Sequence, residues 1–443
     1  MKFTLNEIIM CTDAQILFEK DTDGSFEIST DTRKLQKDNP EKFIYLPLRG
    51  ENYDGHNFID KALEMGACAY FTQDKFKVNK NADFVLYVEN SLVAYLRLAN
   101  YIRNKINPKI VAITGSSGKT TTKEMLFSVL STKYKTHKTL LNHNNEIGLC
   151  ETLFSMPEDT DIAVVEMGMR NLGEIELLSS YCEPDIGIIT NIGSAHVERL
   201  GNLKNIAVAK CEIAAGLKKD GVFISPDSSK IKNNLNYEGE KIFTRFANVA
   251  NVKMSVSHSE FSYEGVNYTL NVEGDYNIEN ALLVIEAAKK LNVEIQNIQK
   301  GLLDYKPIEK RWEVTKIKDL TFINDSYNAN PESMKAVLKT FLSIYKPPLV
   351  LVLGNMGELG KDEIAYHKEI GEFLCSYKNV KLLTVGNLAK YILRSSTLEG
   401  VEFETNFECA KYILNNIEKG STILLKASRA MKFEEIIEMV GRL

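Results

Sequence analysis

From residue 109 onward the chain repeats one unit, a short run of consecutive apolar residues followed by an amphipathic segment of helical period. KIVAIT precedes KEMLFSVLSTKY, DIAVVEM precedes a Gly-Glu helix start, DIGIITNIG precedes NLKNIAVAKCEIAAGLKKDG, and GVFIS follows. Strands that are apolar on both sides need cover on both faces, and helix-length connections make consecutive strands parallel. The spacing therefore predicts an α/β fold whose parallel sheet is sandwiched between helices. Such a sheet presents ligands beyond the carboxyl ends of its strands.

At 443 residues the chain exceeds one ordinary core, and usual domain sizes predict about three domains. The stretch NKINP (104–108) punctuates the pattern, because Pro108 biases its predecessor away from helix. A first boundary is expected there. Residues 1–107 read as a small α/β domain: FIYLPLRG (43–50) as strand and turn, FIDKALEMGA (58–67) as a helix, ACAYFT and FVLYV as strands. Within 108–306, SVSHSEFSYEGVNYTLNVEG (255–274) alternates like a β-hairpin or meander, and NIENALLVIEAAKKLN (277–292) reads as a helix. A third α/β region, 307–443, has candidate strands LTFIND, PPLVLVLGN, VKLLTVGN and STILLKAS, with helices such as DEIAYHKEIGEFLCSY between them.

The net charge of -5 is spread without blocks, which argues against a nucleic-acid partner or a polybasic membrane anchor. Polar residues interrupt the opening MKFTLNEIIMCTDAQ, and no later run approaches bilayer length. Seven cysteines without a C-x-x-C pair fit reduced thiols better than disulfides or zinc. A cytoplasmic protein, not inserted in a membrane and monomeric, is expected.

Between KIVAIT and the next helix stands Gly115-Ser116-Ser117-Gly118-Lys119-Thr120-Thr121. The usual phosphate loop opens with a glycine six positions before the lysine, and here that position is Ile113. The context still suits an anion: backbone N–H groups at a helix start, Gly118 for close approach, Lys119 as a point charge and the Thr120 hydroxyl for Mg²⁺. A glycine turn with a solvated lysine is the bland alternative. Glu166 ends the strand IAVVE, and Asn191 and His196 follow IGIIT, so all fall on the same rim as Lys119. The carboxylate of Glu166 and the imidazole of His196 suit metal positioning, against the alternative of a surface carboxylate and a satisfied loop histidine.

Lys210 stands out. If the segment 202–221 is one helix, Ile206 lies about 40° from Lys210 and Leu217 about 20° on its other side, which places the ammonium in the apolar stripe. Burial favours a neutral or modified amine there, unless the side chain snorkels to water. Gly354-x-x-Gly357-x-x-Gly360 after a strand raises a nicotinamide-dependent dehydrogenase as a rival, but its spacing is not G-x-G-x-x-G. A noncatalytic nucleotide switch would also use a phosphate loop.

These residues resemble the Mur ligases, the ATP-dependent amide-forming family of peptidoglycan synthesis, over nearly the whole chain. The family's loop is a short T-G-S/T-x-G-K-T, so the loop here is complete for it. Further motifs follow in order: Asp31-Thr-Arg33 and LRGENYDGHNF (48–58), then NHNNEIGL (142–149), EMGMRNLGEI (166–175) and TNIGSAHVERLG (190–201), then NDSYNANPESMKAVL (324–338), GNMGELG (354–360) and KASRAMKFEE (426–435). NDSYNANP resembles the branch that joins D-alanyl-D-alanine to UDP-N-acetylmuramoyl-tripeptide, and both are the implied partners. Folylpolyglutamate synthase is the nearest enzymatic rival, and the first domain argues against it.

The resemblance implies a sugar-nucleotide domain (1–107), a central P-loop ATPase domain (108–306) and a C-terminal Rossmann-like domain (307–443). Its cofactors would be ATP and Mg²⁺. Gly115 to Thr121 would cradle the phosphates, with Lys119 on the β- and γ-phosphates and Thr120 and Glu166 on one Mg²⁺. His196 and Lys210, the latter as a carbamate, would serve a second. Asn277 and Asn280 would lie near adenine, and Arg311 and Asp325 would reach ATP phosphate or ribose. The implied substrate contacts are Thr30, Asp31, Thr32, Arg33, Arg49, Gly50, His56, Asn144, Asn145, Asn191, Tyr327, Asn328, Asn330, Lys426, Ser428 and Arg429. Two departures from the family stand out near the ATP residues: its H-N-x-x-N appears as Tyr276-Asn-Ile-Glu-Asn280, and its G-R as Lys310-Arg311. A third is Asn355, where an aspartate is common.

Overall fold

The computed structural model describes residues 1–35, 41–50, 52–307 and 310–442. Glu51, inside the 48–58 segment, lies outside the described residues.

Three main sheets follow one another along the chain. The first has five strands in the order Gln15–Glu19, Phe84–Tyr87, Ala67–Thr72, Lys42–Tyr45, Phe26–Ser29, parallel except for the first pair. The second has six, all parallel, in the order Glu240–Thr244, Val222–Pro226, Ile186–Ile189, Lys109–Thr114, Ile162–Glu166, Thr136–Lys138. Its middle strands are buried along their length, as their unbroken apolar runs require. A three-stranded meander, Val249–Ser255, His258–Tyr263 and Val266–Leu270, then leads into the helix Asp275–Lys290.

The last sheet also has six strands. Leu320–Asn324, Thr422–Lys426, Leu349–Gly354 and Val380–Val385 are the four expected from sequence. Glu313–Ile317, antiparallel at one edge, and Gly400–Phe403 at the other complete it. Neither edge strand carries the continuous apolar run of the interior ones, so neither announces itself in the sequence.

The segment 202–221 is not the single helix expected. The α-helix Leu203–Cys211, capped by Asn202, gives way to a 3₁₀ turn at Glu212–Ala214. Beyond this turn Gly216 packs on the Ser179 carbonyl, 2.0 Å from where a Cβ would stand. Leu217 therefore does not share a helical stripe with Lys210. The Ile206 relation holds, and Lys210 is buried, 1% exposed.

One apolar core joins the first sheet to one face of the central sheet. Phe3, Ile8, Leu98 and Ile102 pack in the same cluster as Leu149, Leu153, Ile175, Leu178 and Phe223. The opposite face of the central sheet has its own core, in which the helices Lys119–Leu130, Asp275–Lys290 and Ile295–Asp304 meet the meander. The last sheet is covered on its two faces by two further clusters.

The phosphate-loop helix is held from behind at Gly301, where a Cβ would stand 2.4 Å from Val129 Cα, and the Ser128 hydroxyl donates to the Gly301 carbonyl at 2.6 Å. Gly301→Ala would force these two helices apart. It should cost about 1–3 kcal/mol of stability, read as a lowered thermal midpoint by calorimetry.

Candidate active site

The loop after Lys109–Thr114 begins and ends on glycines with positive φ. Gly115 has φ +151 and Gly118 φ +81, and a Cβ on Gly115 would stand 1.8 Å from Thr190 Oγ1. Asn191 fixes the loop from the next strand: its Oδ1 accepts from Ser117 N–H at 3.0 Å, and its Nδ2 donates to the Ser117 carbonyl and hydroxyl. Lys119 opens the helix and bonds back to the Gly115 carbonyl at 2.7 Å. Free amides at a helix start, a buried ammonium and two glycines that admit close approach form a phosphate cradle.

Glu166 lies beside it at the end of the neighbouring strand and is buried. Its carboxylate accepts from the Thr120 hydroxyl (3.0 Å) and from Asn144 Nδ2 (3.0 Å) and lies 3.5 Å from Lys123 Nζ. Burial works against its charge, but Lys119 and Lys123 outweigh it and hold its pKa below the ordinary carboxylate value. Burial lowers the pKa of Lys119, Glu166 pulls the other way, and Arg311 adds to the fall. Lys210 is lowered much further, by burial first and by the charge of Lys119 second. No hydrogen bond or ion pair among the described residues engages its amine.

The C-terminal sheet brings its strand ends to the same place. Arg311 Nη2 donates to the Thr120 hydroxyl at 2.9 Å, and the guanidinium stacks on the Tyr327 ring at 4.1 Å. Lys426 ends its strand buried, with Nζ on Asp325 Oδ2 at 2.5 Å and on the Asn328 carbonyl at 3.1 Å. Between the two sheets lies a cleft of about 460 Å³. It is lined by the loop from Ser116 to Thr121 and by Asn144, Glu166, Asn191, His196, Asn280, Arg311, Asp325, Tyr327, Asn328, Asn330 and Lys426.

Other expected residues lie elsewhere. Asn277 is buried and donates to the Glu273 carbonyl at 2.6 Å, so only Asn280 of that pair faces the cleft. Asn145 caps the helix Glu146–Phe154, and Asn330, though in the cleft wall, caps Pro331–Ile344. Ser428 accepts from Gly357 N–H at 2.6 Å, and Arg429 pairs with Glu434 at 2.6 Å. Neither lines the cleft.

The expected sugar-nucleotide residues sit on the first sheet. Asp31 caps the turn Thr32–Lys34 and pairs with the exposed Arg33 at 2.7 Å. Arg49 and His56 share Asp54, at 3.0 and 2.7 Å, and Gly50 pairs with Tyr53 across a two-residue ladder. Thr30 lines a second cavity, of about 390 Å³, whose far wall is Leu140, His143 and Glu151 of the central region. The loop Leu140–Asn144 thus has one end in this cavity and the other in the cleft.

Sequence reasoning missed Lys123, Glu332 and Glu358. Lys123 is wholly buried one turn after Thr120, donating to the Leu141 carbonyl at 3.2 Å, and its signal was a lysine three positions after a loop residue on the same helix face. Glu332 accepts from Ser194 N–H (3.1 Å) and hydroxyl (2.8 Å), so it joins a loop of the central sheet to the first turn of the helix Pro331–Ile344.

Residues 113–288 match the family description "Mur ligase middle domain", and residues 310–429 match "Mur ligase, glutamate ligase domain". The chain belongs to the Mur ligase family. The UDP-N-acetylmuramoyl-tripeptide–D-alanyl-D-alanine ligase of Bacillus subtilis is 37% identical over 425 residues, which are 93% of this chain and 92% of that protein. A crystal structure of MurF from Acinetobacter baumannii superposes with TM-score 0.91 at 27% identity, covering 100% of this chain and 99% of that one. MurF from Thermotoga maritima in complex with ADP gives TM-score 0.83 at 25% identity, covering 96% and 98%. The dehydrogenase reading falls with this membership. Among the described residues no helix is long and apolar enough to cross a membrane.

The GNMGELG loop of this Mur ligase rests on a neutral imidazole. His367 Nδ1 meets the Glu363 carbonyl at 2.6 Å, so it must donate, and Nε2 accepts from Met356 N–H at 2.9 Å. Burial pushes the His367 pKa below its ordinary value of 6.5. The unfolded chain then takes up a proton that the folded protein refuses, so this contribution is full above about pH 6.5 and is lost as pH falls toward the folded pKa. His367→Leu should be less stable than wild type by about 1–3 kcal/mol at pH 7.5. Denaturant titrations should show that gap narrowing toward pH 5.

Proposed function

We propose that the protein is an ATP-dependent, ADP-forming ligase that joins D-alanyl-D-alanine to UDP-N-acetylmuramoyl-tripeptide in peptidoglycan precursor synthesis. The observation that carries this reading is the phosphate cradle facing Arg311, Asp325 and Lys426 across one cleft, in a chain that matches the Bacillus subtilis ligase over nearly its full length. A noncatalytic switch has no use for a second sheet that brings three charged strand-end and loop groups onto its nucleotide loop.

In this reading a tripeptide carboxylate oxygen attacks the γ-phosphorus of ATP, and ADP leaves. The dipeptide amine then attacks the acyl carbon, loses a proton and expels phosphate. The loop amides and Lys119 hold the β- and γ-phosphates where charge develops, and Arg311, already on the Thr120 hydroxyl, meets the same phosphates from the other sheet. Asp325 holds Lys426 in the buried wall of the cleft, where its ammonium can meet a carboxylate. Closing the two sheets over the acyl phosphate keeps water from it.

The Thr120 hydroxyl and the Glu166 carboxylate are adjacent hard oxygen donors, and Mg²⁺ is commonly held by one or two carboxylates together with phosphate oxygens, so this pair fits it. Among the described residues no group of three or more His, Cys, Asp or Glu forms a cage. Bound there, Mg²⁺ offsets the repulsion between carboxylate and triphosphate. The amine of Lys210, unpaired and with its pKa pushed well down by burial, is suited to react with CO₂, and the carbamate would supply a further anionic oxygen. Thr30, Asp31, Thr32, Arg33, Arg49, Gly50 and His56 are assigned to the sugar nucleotide, with the peptide passing the Leu140–Asn144 loop into the cleft.

Purified protein with Mg-ATP, D-alanyl-D-alanine and UDP-muramoyl-tripeptide should release phosphate and yield the pentapeptide by mass spectrometry. Phosphate release without a new amide would displace the acceptor assignment. Lys210→Ala should lose most of this activity, on the order of 100-fold or more, and recover part of it with added short-chain carboxylic acids. Full activity of that variant in CO₂-depleted buffer would remove the carbamate.

A further inference from the structure

The loop 355–360 is built more firmly than a substrate loop on an open rim needs to be. Asn355 Oδ1 accepts from Leu388 N–H (3.0 Å) and Ala389 N–H (2.8 Å), Met356 N–H is bound to His367, and Gly357 N–H to Ser428. Met356 and Leu359 are buried in the C-terminal core. Between these anchors Glu358 is turned outward, with φ +61.

It meets His196, which also has positive φ, +66, on the central sheet's loop. His196 Nδ1 lies 2.6 Å from Glu358 Oε2, an ion-pair contact not aligned as a hydrogen bond in this structure. The backbones meet as well: Glu198 N–H donates to the Glu358 carbonyl at 3.2 Å, and a Cβ on Gly360 would stand 3.1 Å from Glu198 Cα. Two non-glycine residues in the left-handed region persist where the surroundings determine them. The Glu358 side chain is half exposed, so the pair adds little stability. What it fixes is direction. A hydrogen bond formed between these two atoms would keep the imidazole proton on Nδ1 and leave Nε2 as an acceptor.

We propose that Glu358 is a positioning residue: when the C-terminal sheet closes on the central one, its carboxylate takes the Nδ1 proton of His196 in a hydrogen bond and sets the orientation and tautomer of that imidazole in the cleft. The loop 355–360 then reports closure to the central site, because the contact exists only while the two sheets are together. This rests on the ligase reading for its kinetic consequence, but not for the contact itself.

The test uses the full chain and two variants. Glu358→Ala removes the acceptor, and Glu358→Gln keeps an amide oxygen that can accept from Nδ1–H. Expected are a kcat at least tenfold lower for E358A with the KM for ATP within threefold, a thermal midpoint within about 2 °C of wild type, and a kcat for E358Q within threefold of wild type. In ¹⁵N spectra of histidine-labelled protein alone, the His196 signal, assigned by its loss in His196→Gln, should show the Nδ1–H tautomer in wild type and E358Q but a mixture in E358A. An E358A enzyme that keeps half of its kcat, an E358Q enzyme as slow as E358A, or an unchanged His196 tautomer in E358A would overturn the proposal. Should wild type make no pentapeptide, the ligase reading falls, and the imidazole spectra still decide the contact.

Discussion

An excess of basic side chains, buried or half-buried, governs the centre of this molecule. Lys119, Lys123, Lys210, Arg311 and Lys426 converge where two parallel sheets face each other, and the carboxylates nearest to them are Glu166 and Asp325. Removing an ammonium from water without a partner is among the costliest things a fold can do. Lys119 turns to a carbonyl, Lys123 shares Glu166, and Lys210 has neither. A polyphosphate or a carboxylate entering the cleft supplies what the protein withholds, so affinity for anions follows from the arrangement of the strand ends.

That convergence explains which parts of the fold could be foreseen. Strands buried on both faces must be apolar throughout, so KIVAIT, IAVVE and IGII were visible, as were Lys119, Glu166 and Asn191 at their ends. Edge strands such as Glu313–Ile317 and Gly400–Phe403 are half-covered and lack that mark. The helix around Lys210 looked continuous because composition cannot register a tertiary neighbour such as the Ser179 carbonyl, against which Gly216 packs too closely for a side chain.

The polar residues divide along a similar line. Motif resemblance gathers asparagines and serines without separating those that face a ligand from those that hold the backbone. Asn145 and Asn330 cap helices, Asn277 and Ser428 satisfy main-chain groups, while Asn191 holds the phosphate loop itself. Lys123, Glu332 and Glu358 were passed over for the opposite reason. Glu332 and Glu358 meet partners across a domain seam that no local spacing announces, whereas Lys123 was marked only by its place one turn after Thr120.

The first two sheets share one apolar core, whereas much of what joins the central sheet to the last is polar: Ser194 to Glu332, His196 to Glu358, Tyr345 to Glu273 at 2.7 Å and Lys339 to Asp275 at 2.7 Å. Parting an apolar seam would expose oily surface to water, but a seam of hydrogen bonds can trade each partner for a water molecule at small net cost. The same bonds can re-form in the same register each time. A third sheet held to the other two by such bonds can part from them and return without unfolding anything.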